Sequence, residues 1–316
     1  MQAFPHLNNL IGARSQTDDL FGSRTYGLAQ TEYLVQLNRA LTLKIDNTSL
    51  TFGFDRSLSV TLNSTQSSFT IEESADLDGS GDVSDEELAQ LLPQVRPEHR
   101  RLYLNPHTLQ LYPGHLKTYE ELPVTLDESA LSGLTPGQPW DLDGNNDPTD
   151  THTLAGSLSA TRDTFGTLTF NTTRTTEFEI FKGRALAMGA EIQSLVQSYD
   201  LSRTINSNLF AYSYDSDTTN LISLVEGVPD LSGLPEFNNP QLIAQFENVF
   251  QGIDYLGATG AHSVSVDALG NTTLNLIQTD YVIINNRSLQ GEVTTRGFTT
   301  SFDDTHVANL QRVAYE

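Results

Sequence analysis

The chain has 316 residues, with 17 Lys+Arg against 40 Asp+Glu for a formal charge of −23, and it contains no cysteine. Disulfide scaffolds, thiolate metal sites and cysteine nucleophiles are therefore excluded. No Lys or Arg occurs between Arg56 and Arg96, between Lys117 and Arg162, or between Arg203 and Arg287, and the densest basic group is Arg96, Arg100 and Arg101. Such a chain cannot neutralise a phosphate backbone, so no nucleic-acid partner is expected. No run approaches the roughly 18 apolar residues of a membrane span. The start, Met1-Gln2-Ala3-Phe4-Pro5-His6, lacks the basic and apolar regions of a secretory leader. An acidic surface with only Lys44, Lys117 and Lys182 as lysines suits a setting where salt or divalent cations screen self-repulsion. An extracellular, cell-surface or virion location is expected on that ground, although genomic composition bias would give the same surface.

In chain order, the first thirty residues show no clean period and read as an irregular or partly helical arm. Alternation at Leu41, Leu43, Ile45, then Leu50, Phe52, Phe54, then Leu58, Val60, Leu62 predicts an antiparallel meander, with Asp46-Asn47-Thr48-Ser49 as a turn. Acidic loops and Pro/Gly/Tyr-rich connections follow from about residue 67 to 152, with one short helix from Ser84 to about Leu92, stopped by Pro93. Strands resume at Thr167–Phe170 and Thr176–Phe181. Met188, Ile192, Leu195, Val196, Tyr199 and Leu242, Phe246, Val249, Phe250, Ile253 share the spacing i, i+4, i+7, i+8, i+11, which predicts two helices, the second capped by Asn239-Pro240. The end returns to β-like segments, with Gly270-Asn271 as a hairpin turn. No fixed-period repeat is visible.

The chemistry concentrates in Asp76-Leu77-Asp78-Gly79-Ser80-Gly81-Asp82-Val83-Ser84-Asp85-Glu86-Glu87. Calcium is a hard cation that takes six to eight oxygens. Asp76, Asp78 and Ser80 offer side-chain oxygens at positions 1, 3 and 5, the Asp82 carbonyl sits at 7, Ser84 at 9 acts directly or through water, and Glu87 at 12 closes the site. Gly81 at position 6 supplies the sharp turn, and Val83 at 8 pins the loop to a core. Ser84-x-x-Glu87 is equally a capping box, which needs no metal. This loop and the helix after it, residues 76–92, resemble the EF-hand family. Because Ser68-Phe69-Thr70-Ile71 looks extended, the resemblance is to strand-loop-helix or dockerin-type variants, and it implies bound Ca2+. A second acidic loop offers Asp141, Asp143, Asn145, Asp147 and, as the closing carboxylate, Asp150; it departs from the pattern at Asn146, Pro148 and His152. Asx-turn chemistry explains the same residues without metal.

No helical zinc pair, Gly-x-Ser-x-Gly elbow, Walker loop or dinucleotide fingerprint occurs, and no catalytic residues are assigned. The expected fold class is α+β and β-rich, with antiparallel sheets, a few packed amphipathic helices and an inserted calcium-binding module. The expected division is an arm and meander at 1–66, the module at 67–152, and a β-rich domain with two helices at 153–316. The functional expectation is a calcium-binding structural or assembly protein, such as a surface-layer, filament, virion or adhesin subunit, forming a homo-oligomer or higher assembly. The alternative is a secreted polysaccharide-acting enzyme or lectin with structural calcium, in which Trp140, Tyr103, Tyr112 and Tyr119 contact glycan.

Overall fold

A computed structural model describes residues 12–135, 139–143, 145, 147 and 149–315. Strands β1 (Ala13–Asp18), β2 (Arg24–Gln36), β3 (Arg39–Phe52) and β4 (Leu58–Phe69) form a first meander. An excursion follows, with α1 (Asp85–Leu91), α2 (Pro97–Arg100), β5 (Leu104–Asn105), β6 (Gln110–Leu111), β7 (Leu116–Glu121), β8 (Pro123–Asp127), α3 (Glu128–Leu134) and β9 (Thr151–Ala155). The second meander is β10 (Ser157–Arg162), β11 (Leu168–Phe181), β12 (Arg184–Gln197) and β13 (Arg203–Tyr214). After β14 (Leu221–Glu226) and α4 (Pro240–Val249), a third comprises β15 (Ala261–Val266), β16 (Thr272–Ile284), β17 (Arg287–Thr300) and β18 (His306–Ala314). The three meanders join into one antiparallel sheet in the order β1-β2-β3-β4-β10-β11-β12-β13-β15-β16-β17-β18, to which β7 adds on β4 and β14 on β13. β4 extends across the boundary expected near residue 66 and pairs with β10, whereas β9, which spans residue 153, pairs with β8 in a separate two-stranded sheet.

The meanders are copies of one unit. Each opens on a glycine at positive φ, Gly12, Gly156 or Gly260, whose missing Cβ would lie 2.6, 2.2 or 2.5 Å from a backbone oxygen of the adjacent strand. Seven residues later comes the first hairpin turn, at Asp19, Asp163 or Asp267. In each, the Asp Oδ1 accepts backbone amides two and four residues on, at 2.8–2.9 Å, and a glycine at positive φ closes the turn. The far end of each unit is a two-residue turn with positive φ at both positions, Leu37-Asn38, Lys182-Gly183 and Asn285-Asn286, the geometry whose twist matches its strands. Around that turn the sequences read Thr31-Glu32-Tyr33 to Arg39-Ala40-Leu41, Thr176-Glu177-Phe178 to Arg184-Ala185-Leu186, and Thr279-Asp280-Tyr281 to Arg287-Ser288-Leu289. A register shift falls at the same place each time, beside Glu32/Tyr33, Glu177/Phe178 and Asp280/Tyr281. The expectation of no repeat is corrected in this sense: the units recur, but excursions of unequal length separate them, so no fixed period exists to be seen.

Three local expectations are also overturned. Residues 13–18 and 24–36 are strands rather than a partly helical arm, residues 1–11 lying outside the described residues. Asp46–Ser49 lies inside β3, whose amides are taken up on both sides by β2 and β4. Met188–Tyr199 is not a helix: β12 pairs with β11 and β13 along most of its length, and its apolar residues point to both faces. Leu195 packs into a core while Ile192 is exposed, and that two-sided distribution mimics a helical spacing. The second helix is real. Asn239 caps α4 through its side chain, Pro240 opens it, and Leu242 and Phe246 are buried.

The excursions cover the junctions between units. Where β4 meets β10, Leu50, Leu58, Val60, Leu158 and Ala160 pack beneath Leu126, Leu131, Trp140 and Leu142 of the first excursion. Where β13 meets β15, Ile205, Val264, Leu274 and Phe298 pack beneath Phe237, Leu242, Phe246 and Tyr255 of the second. The sheet needs both covers, because one face of an antiparallel sheet must be buried to hold its register. Among the described residues no helix is long and apolar enough to cross a membrane.

Candidate metal centre

A third core carries the acidic loop. Val83, Leu88 and Leu92 from the loop and α1 pack with Ala75, Val95, Tyr103, Leu104 and Leu111, and with Ile180 from the end of β11. A parallel bridge joins Val95 to Ile180, with the Ile180 amide donating to the Gln94 carbonyl at 3.0 Å, so this small body is seated on the far end of the second unit. The basic cluster Arg96, Arg100 and Arg101 is consumed in the same seat. Arg96 lies 2.8 Å from Glu179 and over the Phe181 ring, Arg100 donates to the Val95 carbonyl, and Arg101 donates to the Val83 carbonyl and Asp85.

Within residues 76–87, Gly79 and Gly81 both sit at positive φ, 73° and 92°, and fold the loop so that amides point inward. Asp76 accepts from the amides of Ser80 and Gly81, each at 3.0 Å, and Asp78 accepts from Ser80 at 2.9 Å. Glu87 is bound at both oxygens: Oε1 accepts from Leu77 at 2.7 Å and Asp78 at 3.3 Å, and Oε2 accepts from the Ser84 amide at 2.7 Å and its hydroxyl at 3.0 Å. One ligand oxygen from each of Asp76, Asp78 and Glu87 falls within 4.8 Å of the others. Three carboxylates at that separation repel unless donors or a cation compensate. Hydrogen bonds from the Ser84 and then the Leu77 backbone hold the Glu87 carboxyl below its ordinary range, and the Ser80 side chain does so for Asp78.

The sequence named six residues on this loop, and three of them converge. The Ser80 hydroxyl donates to the Asp82 side chain at 3.1 Å and stands 3.5 Å from the Asp82 carbonyl. Ser84 is the N-cap of α1, with the Glu87 amide donating to its hydroxyl at 3.2 Å, a complete capping box. The capping-box expectation for Ser84 and Glu87 is met. The donor set suits a hard cation: three carboxylates and no nitrogen or sulfur.

The second loop is built differently. Asp143 accepts from the Asn145 amide at 3.2 Å, Asn145 from the Asp147 amide at 2.6 Å, and Asp147 from the Thr149 amide at 3.0 Å, a chain of Asx turns. The Asn145 amide nitrogen bridges Asp143 to Asp150, and the Arg203 guanidinium donates to the Asp143 carbonyl. Gly144, Asn146 and Pro148 lie outside the described residues. His152, in the closing position, points elsewhere: its Nε2 is 2.7 Å from Oε1 of Glu128, which is buried and also accepts from the Leu142 amide at 2.7 Å. Desolvation raises the Glu128 carboxyl above its ordinary range. Asp141 is half-buried beside the fully buried Trp140 and Leu142. That buried Glu128–His152 pair was missed in the sequence, because nothing in their spacing foretells that α3 and β9 stand side by side.

The glycan platform fails on burial. Trp140 is fully enclosed, with its indole N–H donating to Thr135 at 2.8 Å, and Tyr103 is enclosed beside His115. Tyr119 packs on Phe178, leaving Tyr112 as the exposed member of the four. Among the described residues, Asp76, Asp78 and Glu87 are the one set of three metal-binding side chains that converges. Compared with protein-family models, curated proteins and solved structures, the chain finds no match.

Proposed function

We propose that this chain is a structural subunit of an extracellular or surface assembly, and that calcium bound by Asp76, Asp78 and Glu87 braces its first excursion. The observation that carries this is the convergence of three carboxylates on a small core that rests on the end of the second unit. The resemblance of residues 76–92 to an EF-hand loop adds support, as does the extended β4 before the loop and the capped α1 after it. The body that holds the loop contains only short elements, so ion binding would supply folding free energy its core lacks. With about three ligating carboxylates the affinity falls on the order of 10⁻⁵ to 10⁻³ M. At a free concentration 100 times the dissociation constant, binding adds about 2.7 kcal/mol to stability.

Thermal melting of the purified chain with calcium or with EGTA tests the metal. Calcium is expected to raise Tm by on the order of 5 °C. Asp78→Asn, which leaves the α1 cap intact, is expected to melt at one temperature in both buffers. Identical curves for the native chain in calcium and EGTA would overturn the metal reading.

A further inference from the structure

The three units meet by one rule. The last strand of a unit pairs antiparallel with the first strand of the next, and the first residue of the one faces the last residue of the other. Leu58 of β4 faces Arg162 of β10, and this register runs on to Asn63 facing Ser157. Arg203 of β13 faces Val266 of β15, and the register runs on to Ser207 facing His262. The outermost strands, β1 and β18, have the same two roles but each is bonded on one side only among the described residues, β1 to β2 and β18 to β17. We propose that β18 of one molecule pairs with β1 of a second copy of this chain, continuing the sheet head to tail.

The rule fixes the register. Carried over, His306 of one copy faces Asp18 of the next, Ala308 faces Gln16, Asn309 faces Ser15 and Gln311 faces Ala13. The backbone edges agree with it. In an antiparallel ladder, alternate residues bond to the partner and the rest point their amides and carbonyls outward. The hairpin bonds Ser301 N–H to Thr305 O and Tyr315 N–H to Gly291 O place 305 and 315 on the β17 side, which turns His306, Ala308 and Leu310 outward. The bond from Asp19 N–H to Ser23 O likewise turns Gln16 and Asp18 away from β2. The outward residues of one edge are thus the ones the register sets opposite the outward residues of the other. The internal junctions have this phase too, through Gly53 N–H to Ser57 O and Asp163 N–H to Thr167 O.

Side chains explain why this junction differs from the internal ones. Positions that carry Leu58, Val60, Leu158 and Ala160 between the first two units lie under an excursion. Their equivalents at the ends are His306, Ala308, Arg14 and Gln16, which suit a junction with no excursion over it. Exposed Val307 and Leu310 lie on β18, an edge that pairing would cover.

This inference deepens the assembly reading and rests on it. Because the chain has no cysteine, Ser15→Cys with Asn309→Cys introduces one specific pair, and direct cross-strand neighbours fall within disulfide reach. Oxidation of that double variant at high protein concentration should give a ladder of covalent dimers and larger species. Ala13→Cys with Val307→Cys, displaced by about 13 Å in this register, should give none. Leu310→Pro removes an outward amide without breaking the bonds to β17, a substitution that edge strands tolerate, and it should reduce the sedimenting mass to that of one chain. A cross-link confined to the single chain, or a ladder from the displaced pair, would overturn the proposed contact. Assemblies that survive Leu310→Pro would also overturn it while leaving the assembly reading in place, whereas a native chain that sediments as a monomer at every concentration would sink both.

Discussion

Glu87 and Glu128 show how differently one side chain type can be used. Glu87 collects four donors at the start of a helix, and its folded carboxyl titrates below the ordinary range. A depressed carboxyl contributes stability above its unfolded pKa, and that contribution is lost as pH falls through the folded value. Glu128 is enclosed, and burial raises its carboxyl. The folded state then holds its proton to higher pH than the unfolded state does, so stability falls as pH rises from the unfolded carboxylate pKa through the raised folded one. Urea titrations of the native chain and Glu128→Gln across that window check the sign. The variant is expected to gain stability relative to the native chain as pH rises, and a constant difference between the two would show that Glu128 does not titrate on folding.

Among elements, the repeated hairpins are the most heavily specified. Each of Gly12, Gly156 and Gly260 combines positive φ with a neighbouring carbonyl where a Cβ would be, so alanine there meets both strain and a clash. Gly270 has positive φ with open space around it. Denaturant unfolding should therefore show Gly260→Ala losing more stability than Gly270→Ala, the first by roughly 1–3 kcal/mol; equal losses would mean that the junction relaxes around the added carbon. The α1 helix was legible because its signal is local: Ser84 and Glu87 satisfy one another within one turn, and Pro93 follows the C-cap. Residues Met188–Tyr199 were misread because spacing alone cannot distinguish a helix stripe from a strand with apolar residues on both faces.

Across the whole molecule, three copies of a hairpin unit form one sheet, and two excursions of unequal size cover the two places where units meet. Hydrogen exchange follows from this. The slowest amides should lie in β4, β10, β13 and β15, beneath Trp140 and Phe246, and those of β1 and β18 should exchange early in the isolated chain. At concentrations where copies associate, the outward amides of His306, Ala308 and Leu310 should become protected. Uniform exchange across all three units would contradict this distribution of cores.

The sequence by itself determined the composition limits, the acidic loop with its glycines and cap, the β-rich character and the helix at Pro240–Val249, because each rests on neighbours within a few residues. Tertiary structure alone decided the rest. It showed that the Asp76, Asp78 and Glu87 carboxylates converge, with Ser80 bonded to Asp82 and Ser84 to Glu87, that His152 meets Glu128, and that Trp140 is covered. It also revealed the repeat, since Thr31, Thr176 and Thr279 become equivalent only when strands far apart in the chain lie in register. Strand pairing is long-range, with partners chosen by the faces they bury, and no local pattern of side chains encodes which edge meets which.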